Sequence, residues 1–147
     1  MKKTTYTMMA LLVLAGAMAV TAQAQTVSRA QVRVSIPFQF HVGNKTMPAG
    51  EYLLQQINPA SDVATLQISR KDGRANVIVS MIGAISDGRA MSRLGFRRYG
   101  NQYYFGEVWV DGNSDGLQAP KTKAERATQK ELAALNVSME TVALKVQ

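Results

Sequence analysis

Apolar and polar side chains alternate without a break over residues 32–42. Val32, Val34, Ile36, Phe38, Phe40 and Val42 fall on one side, and Arg33, Ser35, Pro37, Gln39 and His41 on the other. A period of two puts each set on its own face, as in a β-strand with one face buried. Pro37 has no N–H to give to a ladder, so the strand lies at a sheet edge or carries a bulge. Gly43-Asn44 closes it, and Pro48-Ala49-Gly50 fits a type I turn with Pro second and Gly fourth.

The same logic continues downstream. Residues 52–57 form a strand ended by Asn58-Pro59. Residues 63–69 form another, with Ala64, Leu66 and Ile68 on one face. Asp72-Gly73 signals a hairpin into a strand over 75–82, whose β-branched run Val77-Ile78-Val79 predicts burial on both faces. Residues 83–90 read as a loop. Residues 91–99 and 103–110 flank Gly100-Asn101, a second hairpin. A two-residue loop there places Phe96 opposite Phe105, Arg98 opposite Tyr103 and Arg97 opposite Tyr104. Strands at this spacing predict a mainly β fold, an antiparallel β-sandwich or a partly open barrel.

The end of the chain changes character. Residues 111–118 are polar and Gly-rich. Pro120 then precedes a segment over 121–135 rich in Ala, Lys, Glu and Leu. Ala124, Thr128, Glu131 and Leu135 share one face, with Leu132 beside it, which predicts one C-terminal α-helix. Asn136 is placed to cap it. Val142, Leu144 and Val146 alternate again and predict a closing strand. An outer-membrane barrel is set aside, because it needs strands of ~9–11 residues and aromatic girdles.

The N-terminus reads as an address. Met1-Lys2-Lys3 is basic, residues 8–20 are apolar and small, and Ala22-Gln23-Ala24 fits the A-x-A rule. This is a secretory signal peptide over 1–24, with cleavage before Gln25. The apolar run is shorter than the ~20 residues that span a bilayer, so no transmembrane segment is expected in the mature chain. Residues 25–147 are expected to form a single exported domain, periplasmic or secreted. Zero cysteines exclude disulfides, thiolate metal sites, cysteine nucleophiles and a lipoprotein anchor.

The stretch Ile36-Pro37-Phe38-Gln39-Phe40-His41-Val42-Gly43, followed by Pro48-Ala49-Gly50-Glu51-Tyr52, resembles a family of small exported bacterial proteins with an IPFxFxVGxxxxPAGxY motif. Members also carry a Lys-Ala-Glu-Arg-like helix near the end, matched here by Lys123-Ala124-Glu125-Arg126. The resemblance implies export and a β-rich fold, and it carries over no site.

Candidate chemistry is sparse. His41, the single histidine, lies on the polar face of the first strand, and no G-x-S-x-G elbow presents a serine to it. Asp111-Gly112-Asn113-Ser114-Asp115-Gly116 matches the first half of a calcium loop, which makes Asp111, Asn113 and Asp115 candidate ligands. Thr122 stands where a bidentate Glu is required, and surface turns use the same residues. Arg89, Arg93, Arg97 and Arg98, with Tyr99, Tyr103 and Tyr104, form a candidate patch for an anionic envelope polymer. The net charge of +7, of which only Lys2 and Lys3 leave with the leader, favours an anionic partner. Nucleic acid is not expected outside the cytoplasm, and no cofactor is expected. The sequence thus reads as a non-enzymatic envelope or secreted binding or structural module. The rival is a small periplasmic hydrolase using His41 or a carboxylate.

Overall fold

The computed structural model describes residues 31–58, 63–85, 91–110 and 115–146. The expected leader, Arg89, Asp111 and Asn113 lie outside the described residues. The strands are β1 (Gln31–Ile36), β2 (Phe40–Val42), β3 (Lys45–Met47), β4 (Gly50–Gln56), β5 (Ala64–Arg70), β6 (Asn76–Ile85), β7 (Arg93–Tyr99), β8 (Gln102–Trp109), β9 (Asp115–Gln118) and β10 (Met139–Lys145). One helix, α1 (Lys123–Ala133), separates β9 from β10.

The alternating segment over 32–42 forms two strands. The chain leaves the ladder at Pro37, and β2 resumes on a different part of the sheet. β1 pairs antiparallel with β4, whereas β2 pairs with β3 and, in parallel, with β8 through His41 and Tyr104. Both apolar faces still reach one core, because Val32, Val34, Ile36, Phe40 and Val42 are all buried. Gly43 turns the β2–β3 hairpin at φ +57.

A continuous antiparallel path runs β1-β4-β5-β6-β9-β8-β7-β10. It curls round the core as a partly open barrel, with β1 and β10 side by side but unladdered. The interior is filled by Tyr52, Leu54, Leu66, Ile68, Met81, Leu94, Phe96 and Phe105 together with the β1 and β2 residues. Phe96 sits at the hub, edge-on to Phe38 at 5.1 Å and to Phe40 at 5.4 Å between ring centres.

Several expectations change. Val77 and Val79 face the core only in part, and Ile78 is 60% exposed, so β6 buries one face. The β-branched run reflects strand propensity here, not double coverage. β6 extends to Ile85, into the expected loop, because β9 pairs with residues 82–85. β9 itself lies in the expected loop over 111–118.

The β7–β8 hairpin has the expected register: Phe96 opposite Phe105, Arg97 opposite Tyr104, Arg98 opposite Tyr103. Gly100 takes φ +59 at the first loop position, the place glycine holds in one common two-residue hairpin. Farther along, Gly95 pairs with Glu107 while Phe96 pairs with Phe105, so Gly106 is an extra residue. This bulge lets Phe105 and Val108 both point inward.

Helix α1 starts at Thr122, whose Oγ1 accepts the Glu125 N–H at 3.1 Å. It ends with Asn136 at φ +59 and the Val137 N–H donating to the Leu132 carbonyl at 3.0 Å, so Asn136 supplies the expected left-handed turn. The inward face differs from the expected one. Glu125 is buried and Thr128, Gln129 and Leu132 are half-buried, whereas Ala124, Glu131 and Leu135 are exposed. The helix rotates to bring a carboxylate inward because an arginine awaits it there.

Candidate functional site

Strands β7 and β8 present Arg97, Tyr99 and Tyr104 on the face away from the core, and α1 lies over them. Arg97 is 8% exposed and Glu125 1%. Arg97 Nε donates to Glu125 Oε1 at 2.5 Å and Nη2 to Oε2 at 2.9 Å. The rest of the guanidinium meets main chain. Nη2 donates to the Phe105 carbonyl at 3.3 Å, and Nη1 to those of Ala119 at 3.2 Å and Gly106 at 3.5 Å. The Phe105 and Gly106 carbonyls belong to the bulge, and Ala119 is held beside it by its N–H donating to the Gly106 carbonyl at 2.8 Å. A Cβ on Gly106 would stand 3.3 Å from Nη1. Tyr99 OH donates to Glu125 Oε1 at 3.2 Å. Burial first, and then the Glu125 charge, push the Tyr99 phenol from 10.0 up to about 12.

The expected arginine patch is therefore not one surface. Arg97 is consumed in the fold. Arg98 lies over Tyr103 at 5.6 Å and reaches Glu140 at 3.4 Å. Arg93 sits 4.7 Å from the Trp109 ring centre and 3.7 Å from Glu107. Each of these three guanidiniums faces an aromatic ring, a carboxylate or both. The bulge and the return of α1 cause this, and neither is visible in the local spacing of arginines.

His41 projects to the same outer side. Its ring stacks on Tyr104 at 4.8 Å, and Nδ1 lies 3.1 Å from Thr46 Oγ1. Asp115 is exposed in β9, opposite Ile85. Among the described residues, no three His, Asp or Glu side chains gather as a metal site, and no helix is long and apolar enough to cross a membrane.

A different cationic site lies over another set of strands. A groove of about 560 Å³ runs over β1, β4 and β5, and Lys145 of β10 reaches it across the open seam. Its charged lining is Arg33, Arg70, Lys71, Lys145 and Glu51, with Ser35 and Ser69 between them. The sheet register brings them together: Ser35 pairs with Glu51, and Arg33 with Leu53, which pairs with Ser69. Lys71 Nζ donates to Glu51 Oε2 at 2.7 Å and holds that carboxyl below its ordinary range. Arg70 reaches Asp72 at 3.4 Å. Arg33 and Lys145 are both exposed. Pocket volumes in this range suit small ligands.

The sequence reading missed this groove because its cations come from three strands far apart along the chain. The one local signal was Arg33 on the polar face of the first strand. Glu125 had a clearer mark: Thr122-x-x-Glu125 is capping-box spacing. No family model, curated protein or solved structure matches this chain.

Proposed function

We propose that this chain is an exported, non-enzymatic binding module that holds an anionic group in the groove between β1, β4, β5 and β10. The observation that carries this reading is the groove's lining of four cations: Lys71 is paired with Glu51 and Arg70 reaches Asp72, while Arg33 and Lys145 stand exposed beside them. Fixed positive charge in a concave, partly screened site attracts carboxylate, sulfate or phosphate groups. Export rests on the leader over 1–24, and N-terminal sequencing of the secreted product should return Gln25 as the first residue. A binding role is favoured over hydrolysis because His41 meets the Tyr104 ring and the Thr46 hydroxyl, with no carboxylate among the described residues to orient it as a base.

The test is calorimetric titration of residues 25–147 with tripolyphosphate and with citrate, at low and high salt. Binding should weaken with salt, since exposed charges are screened beyond ~8 Å at physiological ionic strength. Arg33→Gln/Lys145→Gln should reduce affinity at least about fivefold, the loss expected of a charge-assisted contact. Arg98→Gln should leave it unchanged. Equal affinity of wild type and the Arg33/Lys145 variant rejects the groove.

A further inference from the structure

The outer face of β1, β4, β5 and β6 carries a row of amides in register. Gln31 pairs with Gln55, Gln55 with Gln67, and Gln67 with Ile78. These positions alternate with the core residues Val32, Leu54, Leu66 and Ile68, so their side chains share the face turned away from the core. The next row on that face is Arg33, Leu53, Ser69 and Asn76, and the first three of these line the groove. The amide row and the cationic groove are therefore adjoining parts of one surface.

We infer that the groove's ligand is the acid group of an acidic polysaccharide, and that the sugar chain runs along Gln31, Gln55 and Gln67. The inference rests on the anionic reading of the groove. Three features identify the occupant. First, each glutamine offers two donors and an acceptor without net charge, which suits hydroxyl groups. Gln31 and Gln55 use little of this on each other, since their mutual contact is 3.5 Å long. Second, neighbouring strands are ~4.8 Å apart, so the row presents amides at an interval close to the length of one sugar ring. Third, Ile78 is 60% exposed at the end of the row, and half-buried Leu53 lies beside its middle. Both offer apolar surface to the C–H face of a ring. The cations stand on one side only, so the surface fits a polymer that turns acid groups to one edge and hydroxyls to the other. An acidic polypeptide has the charge but not the hydroxyls.

The experiment uses residues 25–147 and four probes: galacturonate, an oligogalacturonate, a neutral oligosaccharide of equal length, and polyglutamate. Gln55→Ala/Gln67→Ala should weaken the oligogalacturonate about tenfold, the effect of losing a few neutral hydrogen bonds. It should leave galacturonate unchanged. Gln31→Ala, at the exposed strand edge, should act in the same direction by a smaller factor. Circular dichroism and the urea midpoint establish that the variants fold. Arg33→Gln/Lys145→Gln should weaken monomer and oligomer alike. If the glutamine variants bind the oligomer as wild type does, the sugar track is wrong while the anionic groove stands. Polyglutamate binding as tightly as the oligogalacturonate also overturns the track. So does a wild-type dimer that the glutamine variants abolish, because a second copy would then cover the face. If no anionic probe binds, the groove reading and the track fall together.

Discussion

Glu125 of α1 meets Arg97 of β7 through two parallel N–H···O contacts, and this pair is what fastens the helix to the barrel. A mostly polar helix has little apolar surface with which to dock. Here the carboxylate takes that role, against a guanidinium whose other N–H groups donate to the Phe105, Gly106 and Ala119 carbonyls. Removing one ion of a buried pair leaves the other uncompensated, which costs about 3–5 kcal/mol. Glu125→Ala should lower stability by that amount in urea unfolding. Arg97→Met/Glu125→Leu should lose less than Glu125→Ala alone. A single-mutant loss under about 1 kcal/mol would mean the pair is solvated, as surface pairs are.

Tyr99 gives a pH signature. Its phenol titrates at about 12 in the folded protein against 10.0 in the open chain. Below 10 both states keep the proton and the Tyr99 contribution is complete. Between 10 and 12 only the unfolded chain releases it, so stability falls as pH rises through that window. Tyr99→Phe should be less stable at neutral pH by about 1 kcal/mol, the usual worth of one hydrogen bond. Its melting temperature should also decline less steeply above pH 10, as thermal scans across that range would show.

Gly116 has no room for a side chain. A Cβ there would stand 2.6 Å from the Trp109 ring. Gly116→Ala should destabilise by about 1–3 kcal/mol through overpacking. Because Trp109 is the single tryptophan, its emission reports the displacement directly. Unchanged emission with unchanged stability would contradict the packing.

Thr122 caps α1 by accepting the Glu125 N–H. Thr122→Ala should cost about 1 kcal/mol. Thr122→Asn should restore most of it in the same urea titration.

Most strands were legible because each follows from neighbours in sequence, whereas β3 and β9 were not expected. The alternation at Val32 and Val34, the glycine at position 100 and the facing of Phe96 with Phe105 all act over short range. What escaped was set by distant partners. Ile78 looked doubly buried because its neighbours are β-branched, yet the sheet covers only one of its faces. Arg97 looked like surface charge because its partner lies 28 residues away and its socket depends on a bulge. The helix face was misjudged for the same reason: periodicity alone does not favour turning Glu125 inward. The groove was invisible because Arg33, Arg70 and Lys145 meet only after the barrel has curled.

The unlaced seam bears on how such a chain survives at high concentration. A rim of unpaired N–H and C=O groups is a template on which another molecule can grow, copy after copy. Antiparallel joining of two β1 rims would centre close to Arg33 and carry two guanidiniums into each other's reach, which opposes the contact. Pro37 follows at once and has no N–H with which to extend it. Fibre growth from this rim is thus checked by a charge at its middle and a proline at its end, and the Arg33 guanidinium keeps neighbouring molecules apart.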